Sequence, residues 1–138
     1  MIGFTGTQKG MTRQQKNVLK KLLSEINIEL NQISKVLHHG DCIGADKEAC
    51  EIALDLGFEL HCHPPINSNK RAFVKSKYVE KEKSYLDRNH DIVNSSYILY
   101  ATPFEMEEVL RSGTWATIRY ARKQNKKITI IFPDGNFS

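Results

Sequence analysis

Residues suited to holding a phosphate group recur at three places in this chain, each directly after a short apolar run. The clearest is Ser112-Gly113-Thr114-Trp115-Ala116-Thr117-Ile118-Arg119, where small residues lead straight into a helical pattern. Gly113 has no Cβ to block close approach, Thr114 and Thr117 offer hydroxyls, and Trp115 is the single tryptophan of the chain. A helix starting there opens with unpaired N–H groups and the positive end of its dipole, and both favour an anion. Thr5-Gly6-Thr7 and Gly40-Asp41-Cys42-Ile43-Gly44-Ala45-Asp46 repeat the theme upstream. Arg71, Arg88 and Arg119 are the candidate countercharges, with Asn89 beside the second of them. One Gly-Thr pair before a helix is ordinary capping, and one arginine is an ordinary surface ion pair. Three such loops in one short chain point to a ligand.

Other groups carry weaker signals. Asp41 and Asp46 are the candidate catalytic carboxylates, although Asp46 also fits a helix cap and Asp134 a turn. His61-Cys62-His63 has metal-ligand residue types, but alternate side chains of a strand point to opposite faces, so three ligands from one strand cannot converge. His38 and His39, at the end of another strand, are placed to approach His61 or His63. No metal and no cofactor is assigned. Cys42, Cys50 and Cys62 are odd in number and form no Cys-x-x-Cys, which fits buried, reduced thiols.

The elements that must position these residues follow from apolar spacing. Met1 to Thr5 reads as a buried strand. Thr12 is an N-cap with Gln15 at the capping-box position, and Val18, Leu19, Leu22, Leu23, Ile26, Leu30 and Ile33 continue a helix to about Gln32. Val36–His39 is a second strand, and Ala49, Ile52, Ala53 and Leu56 form the core face of the next helix, ended by Gly57. Phe58–Cys62 is a third strand, stopped by Pro64-Pro65. The pattern degrades from Ile66 to Arg88, with a helix predicted from about Val79 to Leu86 and a short one through Asp91-Ile92-Val93. Tyr97–Ala101 is a fourth strand, Phe104–Ser112 a loop, Thr114–Gln124 a long helix and Ile128–Phe132 a fifth strand. Strand, loop, helix and strand in alternation mean βαβ units, hence an α/β fold with a doubly wound, mostly parallel five-stranded sheet and helices on both faces. In such sheets ligands sit beyond the carboxyl ends of the strands, where all three glycine loops fall.

Composition sets the frame. The 138 residues fit one domain, and no apolar run approaches the roughly 18 residues of a membrane span. No signal-peptide pattern opens the chain, so a cytoplasmic location is expected. Net charge is +4, which suits an anionic small molecule or a nucleic-acid backbone without choosing between them.

Four motifs, in order, carry a resemblance over almost the whole chain: Gly3-Phe4-Thr5-Gly6-Thr7, the stretch from His38 to Asp46, Arg88-Asn89 ahead of the fourth strand, and the stretch from Ser112 to Ala121. The chain resembles the SLOG superfamily, which joins the DprA (SMF) DNA-processing proteins, the LOG nucleotide hydrolases and small stand-alone proteins related to YspA and YpsA. The resemblance implies a Rossmann-like sheet and binding of a nucleotide or nucleotide-derived ligand through these loops. Several members occur in bacterial conflict systems, which suggests a defence-related or mobile-element setting. One departure matters. LOG hydrolases carry a glutamate in a Pro-Gly-Gly-x-Gly-Thr-x-x-Glu pattern, whereas this chain continues Ile118-Arg119-Tyr120 after Thr117, with Arg119 and no carboxylate in that stretch. A guanidinium neither accepts a proton nor stabilises an oxocarbenium ion, so the LOG reaction is not carried over.

Three functions remain open at this level. The first is binding of an ADP-ribose-like molecule, a cyclic nucleotide messenger or another nucleotide, to sense or sequester it. The second is an N-glycosidase of nucleosides or nucleotides that uses another carboxylate. The third is DprA-like binding of single-stranded nucleic acid, for which Lys70 to Lys83 would supply charge and Phe73, Tyr78 and Tyr85 stacking surfaces. A homo-oligomer formed through sheet-flanking helices is expected, and no membrane partner.

Overall fold

The computed structural model describes residues 1–26 and 34–138. Six strands form one sheet: β1 (Ile2–Gly6), β2 (Val36–His39), β3 (Glu59–Cys62), β4 (Tyr78–Val79), β5 (Ile98–Thr102) and β6 (Lys127–Ile130). Among the described residues four α-helices connect them: α1 (Arg13–Glu25), α2 (Ala45–Asp55), α3 (Tyr85–Asn94) and α4 (Gly113–Lys123). The strand order is β4-β3-β2-β1-β5-β6, and every pairing is parallel. The chain winds outward from β1 in one direction through β4, then returns to the other side of β1 for β5 and β6. The reversal opens a crevice at the carboxyl ends of β1 and β5.

Strand alternation builds a core on each face. Ile2, Phe4, Leu37 and Leu60 face α1 and α2, where they pack with Leu19, Leu23, Ala49 and Ala53. Leu99, Ala101 and Ile130 point the other way, against Ile92 and Val93 of α3 and Trp115, Ile118 and Ala121 of α4. Strands covered on both sides need residues that pack on both faces, so β5 reads as the run Ile98-Leu99-Tyr100-Ala101 and β1 meets Ile92 and Ser96 on its second face with Gly3. Each buried leucine, isoleucine or phenylalanine contributes about 1.5–3 kcal/mol.

The helix boundaries follow capping chemistry. Thr12 caps α1 in a full capping box with Gln15. Ser112 caps α4, its Oγ accepting from the Trp115 amide at 3.2 Å. α1 ends at Glu25, and the predicted continuation through Leu30 to Gln32 lies outside the described residues.

The sheet has one strand more than the pattern predicts. Tyr78 and Val79 extend as β4 along the open edge of β3, and the Glu80 amide donates to the Cys62 carbonyl at 2.9 Å. The expected helix from Val79 to Leu86 does not form there. Pairing with a free sheet edge outweighs the helix propensity of that lysine- and glutamate-rich run, and α3 starts only at Tyr85, behind the cap Ser84. α3 then runs unbroken to Asn94, taking in the short helix predicted at Asp91–Val93. Among the described residues no helix is long and apolar enough to cross a membrane.

Candidate functional site

A cleft of about 890 Å³ opens at the carboxyl ends of β1, β2 and β5. Its size falls in the range of small-molecule sites, roughly 300–1,000 Å³. All three glycine loops contribute to its wall through Thr5, Gly6, Thr7, Gly40, Asp46, Gly113 and Thr114, and Arg88 and Asn89 of α3 join them.

The first two loops hold each other. The Thr7 carbonyl accepts from Gly10 N at 3.2 Å and from Ala45 N at 2.9 Å, so the start of α2 is tied to the loop after β1. Gly44 makes this contact with φ of +84°, and a Cβ there would run into the Gln8 carbonyl. Its place is behind the loop, outside the cleft wall. The N-terminus of α2 is occupied by protein groups, since Asp46 and Glu48 lie in its first turn and Asp46 Oδ2 accepts from Cys42 N at 3.1 Å.

Asp41 and Arg71 also lie off the cleft. Asp41 is fully buried with φ of +57°; its Oδ2 takes Arg71 Nε at 2.6 Å and its Oδ1 takes Val74 N at 2.8 Å. The pair pins the segment around residues 70–74 against the second loop, and that segment presents Lys70 to the cleft while nearby Asn67 and Asn69 complete the wall.

The third loop is the open one. Gly113 and Thr114 face the cleft, and a Cβ added at Gly113 would meet no atom within 4 Å. Ser112 takes the Trp115 amide, and Ala116 N returns to the Ser112 carbonyl at 2.9 Å. The amides of Gly113 and Thr114 are therefore engaged neither by the cap nor by the helix ladder, and they sit at the positive end of α4. Trp115, Thr117 and Arg119 serve elsewhere. The buried Trp115 indole donates to Glu105 Oε1 at 3.1 Å, and Thr117 Oγ1 donates to the Gly113 carbonyl at 3.0 Å. Arg119 pairs with Glu108 at 3.0 Å and donates to the Leu110 carbonyl, which fastens the loop after β5 onto α4.

Charge in the cleft is mainly positive. Lys9, Lys70, Arg88 and Arg111 line it against Asp46 and Glu105, and among the described residues Lys9, Lys70 and Arg111 make no ion pair. Lys9 Nζ stands 4.1 Å from the centre of the Phe104 ring, and Phe104 and Tyr85 both line the cleft. Arg88 is almost completely buried. Its Nη1 donates to the carbonyls of Gly40 and His63, Nε has no partner, and the guanidinium lies 5.2 Å from the Tyr85 ring centre. Burial pushes the Asp46 carboxyl up to about 6, and the Arg88 charge opposes that rise. Burial also pushes the Cys42 thiol up to about 11, so it is no nucleophile at neutral pH.

Lys9 and Arg111 are not singled out by the sequence, and Lys70 enters there only as the start of the basic stretch Lys70 to Lys83. Lys9 follows the Thr5-Gly6-Thr7 motif and Arg111 precedes Ser112, so adjacency to the glycine loops was the available signal. Lys70 reaches the cleft only through the Arg71–Asp41 pair, which no spacing rule reveals.

No family model matches the chain, and no curated protein matches it. Its fold is shared with solved structures. A molybdenum cofactor binding protein from the phototrophic bacterium Rippkaea orientalis superposes with a TM-score of 0.69 at 19% identity, over 95% of this chain and 75% of that one. The molybdenum cofactor carrier protein of Chlamydomonas reinhardtii gives 0.61 at 20% identity, over 94% and 74%. DNA processing protein A of Streptococcus pneumoniae gives 0.65 at 17% identity, over 94% of this chain and 49% of that one. At these identities the likeness concerns the fold alone, a Rossmann-like parallel sheet with helices on both faces.

Proposed function

We propose that the cleft binds a nucleotide or a nucleotide-derived small molecule, with a phosphate against the N-terminus of α4. The observation that carries this reading is the pair of unengaged amides at Gly113 and Thr114, facing open space and flanked by a cationic rim. Lys9, Lys70 and Arg111 supply charge that no protein carboxylate consumes. Tyr85 and Phe104 offer flat apolar surfaces for a base or another heteroaromatic ring. Thr5 and Thr7 stand where a sugar hydroxyl would reach them. Two proteins of the same fold are described as binding or carrying a molybdenum cofactor, which supports a cleft of this design holding a cofactor-sized ligand.

The test is a thermal-shift and calorimetric screen of AMP, ADP, ADP-ribose and cyclic nucleotides, with Gly113→Ala as the diagnostic variant. The added methyl meets no protein atom, so the fold should be unchanged. It occupies the space a phosphate needs, and losing one charged hydrogen bond of about 1.5–3 kcal/mol weakens binding by roughly 10- to 150-fold. Equal affinity in both proteins would remove the phosphate from α4. Binding of an oligonucleotide with steep salt dependence, and of none of the small molecules, would favour the nucleic-acid reading instead.

A further inference from the structure

Three histidines on one face of the β2–β3 edge belong to neither the cleft nor the apolar core. His38 lies in parallel register beside His61, and His63 follows two residues later, so strand alternation brings all three rings to the same side. Ring centres are 4.3 Å apart for His38 and His61, 5.0 Å for His61 and His63, and 5.1 Å for His38 and His63. Each ring offers a nitrogen that lies within 4.8 Å of the other two. A tetrahedral zinc ion holds its nitrogen ligands about 3.3 Å apart, so modest ring rotations close the site.

The surroundings suit a cation. His38 Nδ1 and His63 Nε2 are 2.8 Å apart, a contact in which one proton serves two ring nitrogens. Glu80 Oε2 stands 3.2 Å from His61 Nε2, and Met1 Sδ 3.0 Å from His38 Nε2. The neighbouring trio of His39, Asp41 and Cys62 is different. Both Asp41 oxygens are taken by Arg71 and Val74, and His39 is held by Ser76 Oγ and by the Asp41 amide. Three ligands from one strand cannot meet, as the sequence indicates, and Cys62 duly points away; the third ligand comes from the adjacent strand.

We propose that His38, His61 and His63 bind a borderline divalent transition-metal ion of the zinc class, leaving a fourth position for water or a small anion. Three imidazoles with one open position are a known zinc donor set, and imidazole also suits copper and nickel.

The test uses the full chain, stripped with chelator and titrated with Zn²⁺ by calorimetry. One ion per chain is expected, with a raised melting temperature and, for Co²⁺, the visible bands of a four-coordinate site. His61→Ala and His38→Gln should each weaken Zn²⁺ binding about tenfold or more. His61 is the more exposed of the three, so its variant keeps the test valid if the buried His38 change impairs folding. Failure of the wild-type chain to bind Zn²⁺, or unchanged binding in folded His61→Ala, would overturn the proposal. So would binding that is lost in Cys62→Ser and kept in His61→Ala, since it would move the ion to the other trio.

Discussion

Arg88→Met tests the electrostatics of the cleft floor in a form that can be worked through from the structure. Methionine keeps much of the side-chain volume and removes the charge and its donors. Two effects follow, and they differ in pH dependence. The carbonyls of Gly40 and His63 lose their partner. A buried acceptor left unpaired costs about 1–3 kcal/mol, and water entering from the cleft relieves part of it, so about 2–4 kcal/mol is expected at any pH. Asp46 also loses its counterion. A Cβ placed on Gly40 would stand 2.8 Å from Arg88 Cζ and 3.1 Å from Asp46 Oδ2. That puts the two charges within about 6 Å, where an effective dielectric near 20 makes their interaction worth about 2–3 kcal/mol, or up to two pH units on the carboxyl. In the wild type Asp46 titrates at about 6, above its ordinary value of 3.8. The native state therefore holds the proton more tightly than the unfolded chain, and stability falls as pH rises from about 4 through 6, then levels off. In Arg88→Met that fall continues to higher pH. The variant's deficit should be about 2–4 kcal/mol at pH 5, where Asp46 is protonated in both proteins, and about 1–2 kcal/mol larger at pH 8. Urea unfolding at the two pH values measures both terms, and adding Asp46→Asn should erase the difference between them. A deficit below about 1 kcal/mol, or one equal at both pH values, would refute the reasoning.

Two further substitutions examine how the loops are held. Gln15 is buried, with Nε2 donating to the Pro103 and Ile131 carbonyls at 2.8 and 2.9 Å and Oε1 accepting from Thr12 N at 2.9 Å. Gln15→Leu strands all three backbone groups and should cost about 3–5 kcal/mol in urea unfolding, against the ~1 kcal/mol of a lost cap alone. Gly44 and Gly57 share nearly the same φ, +84° and +85°, but only at Gly44 does a Cβ meet backbone. Alanine at Gly57 should cost the left-handed penalty of about 1–2 kcal/mol, whereas alanine at Gly44 should cost more and displace the Thr7–Lys9 loop, which amide exchange at Ala45 reports. Equal costs at the two positions would show that the Gln8 contact yields without strain.

The sheet was legible because parallel strands buried on both faces announce themselves as short apolar runs, and the cap Thr12 falls where Ser/Thr chemistry places it. β4 was not legible. Its two residues gain their structure from the free edge of β3, and nothing within Tyr78-Val79 encodes that partner. The site divides along the same line. Gly40 could be read locally as a close-approach position, and the group that approaches it is the protein's own Arg88. Side chains whose partners lie far along the chain could not: Asp41 and Arg71 look like a carboxylate and a countercharge for a ligand, yet each is the other's partner across 30 residues. Gln15 shows both cases in one residue, a readable capping box and an unreadable clamp on two carbonyls 88 and 116 positions away.

The carboxylates of the cleft bear on whether it holds its ligand or cuts it. A general base needs a free lone pair aimed at a reacting water, and a general acid needs a proton it can release to a leaving group. Asp46 has the raised pKa of a general acid, but its Oδ2 accepts the Cys42 amide at the base of the second loop. Glu105 is engaged by the Trp115 indole. Arg119 pairs with Glu108 on the loop after β5, three residues before Arg111. The role at that position is thus electrostatic and remote: it fixes the loop that carries one cleft cation. Engaged carboxylates and free cations fit the proposed reading of the cleft as one that binds an anion.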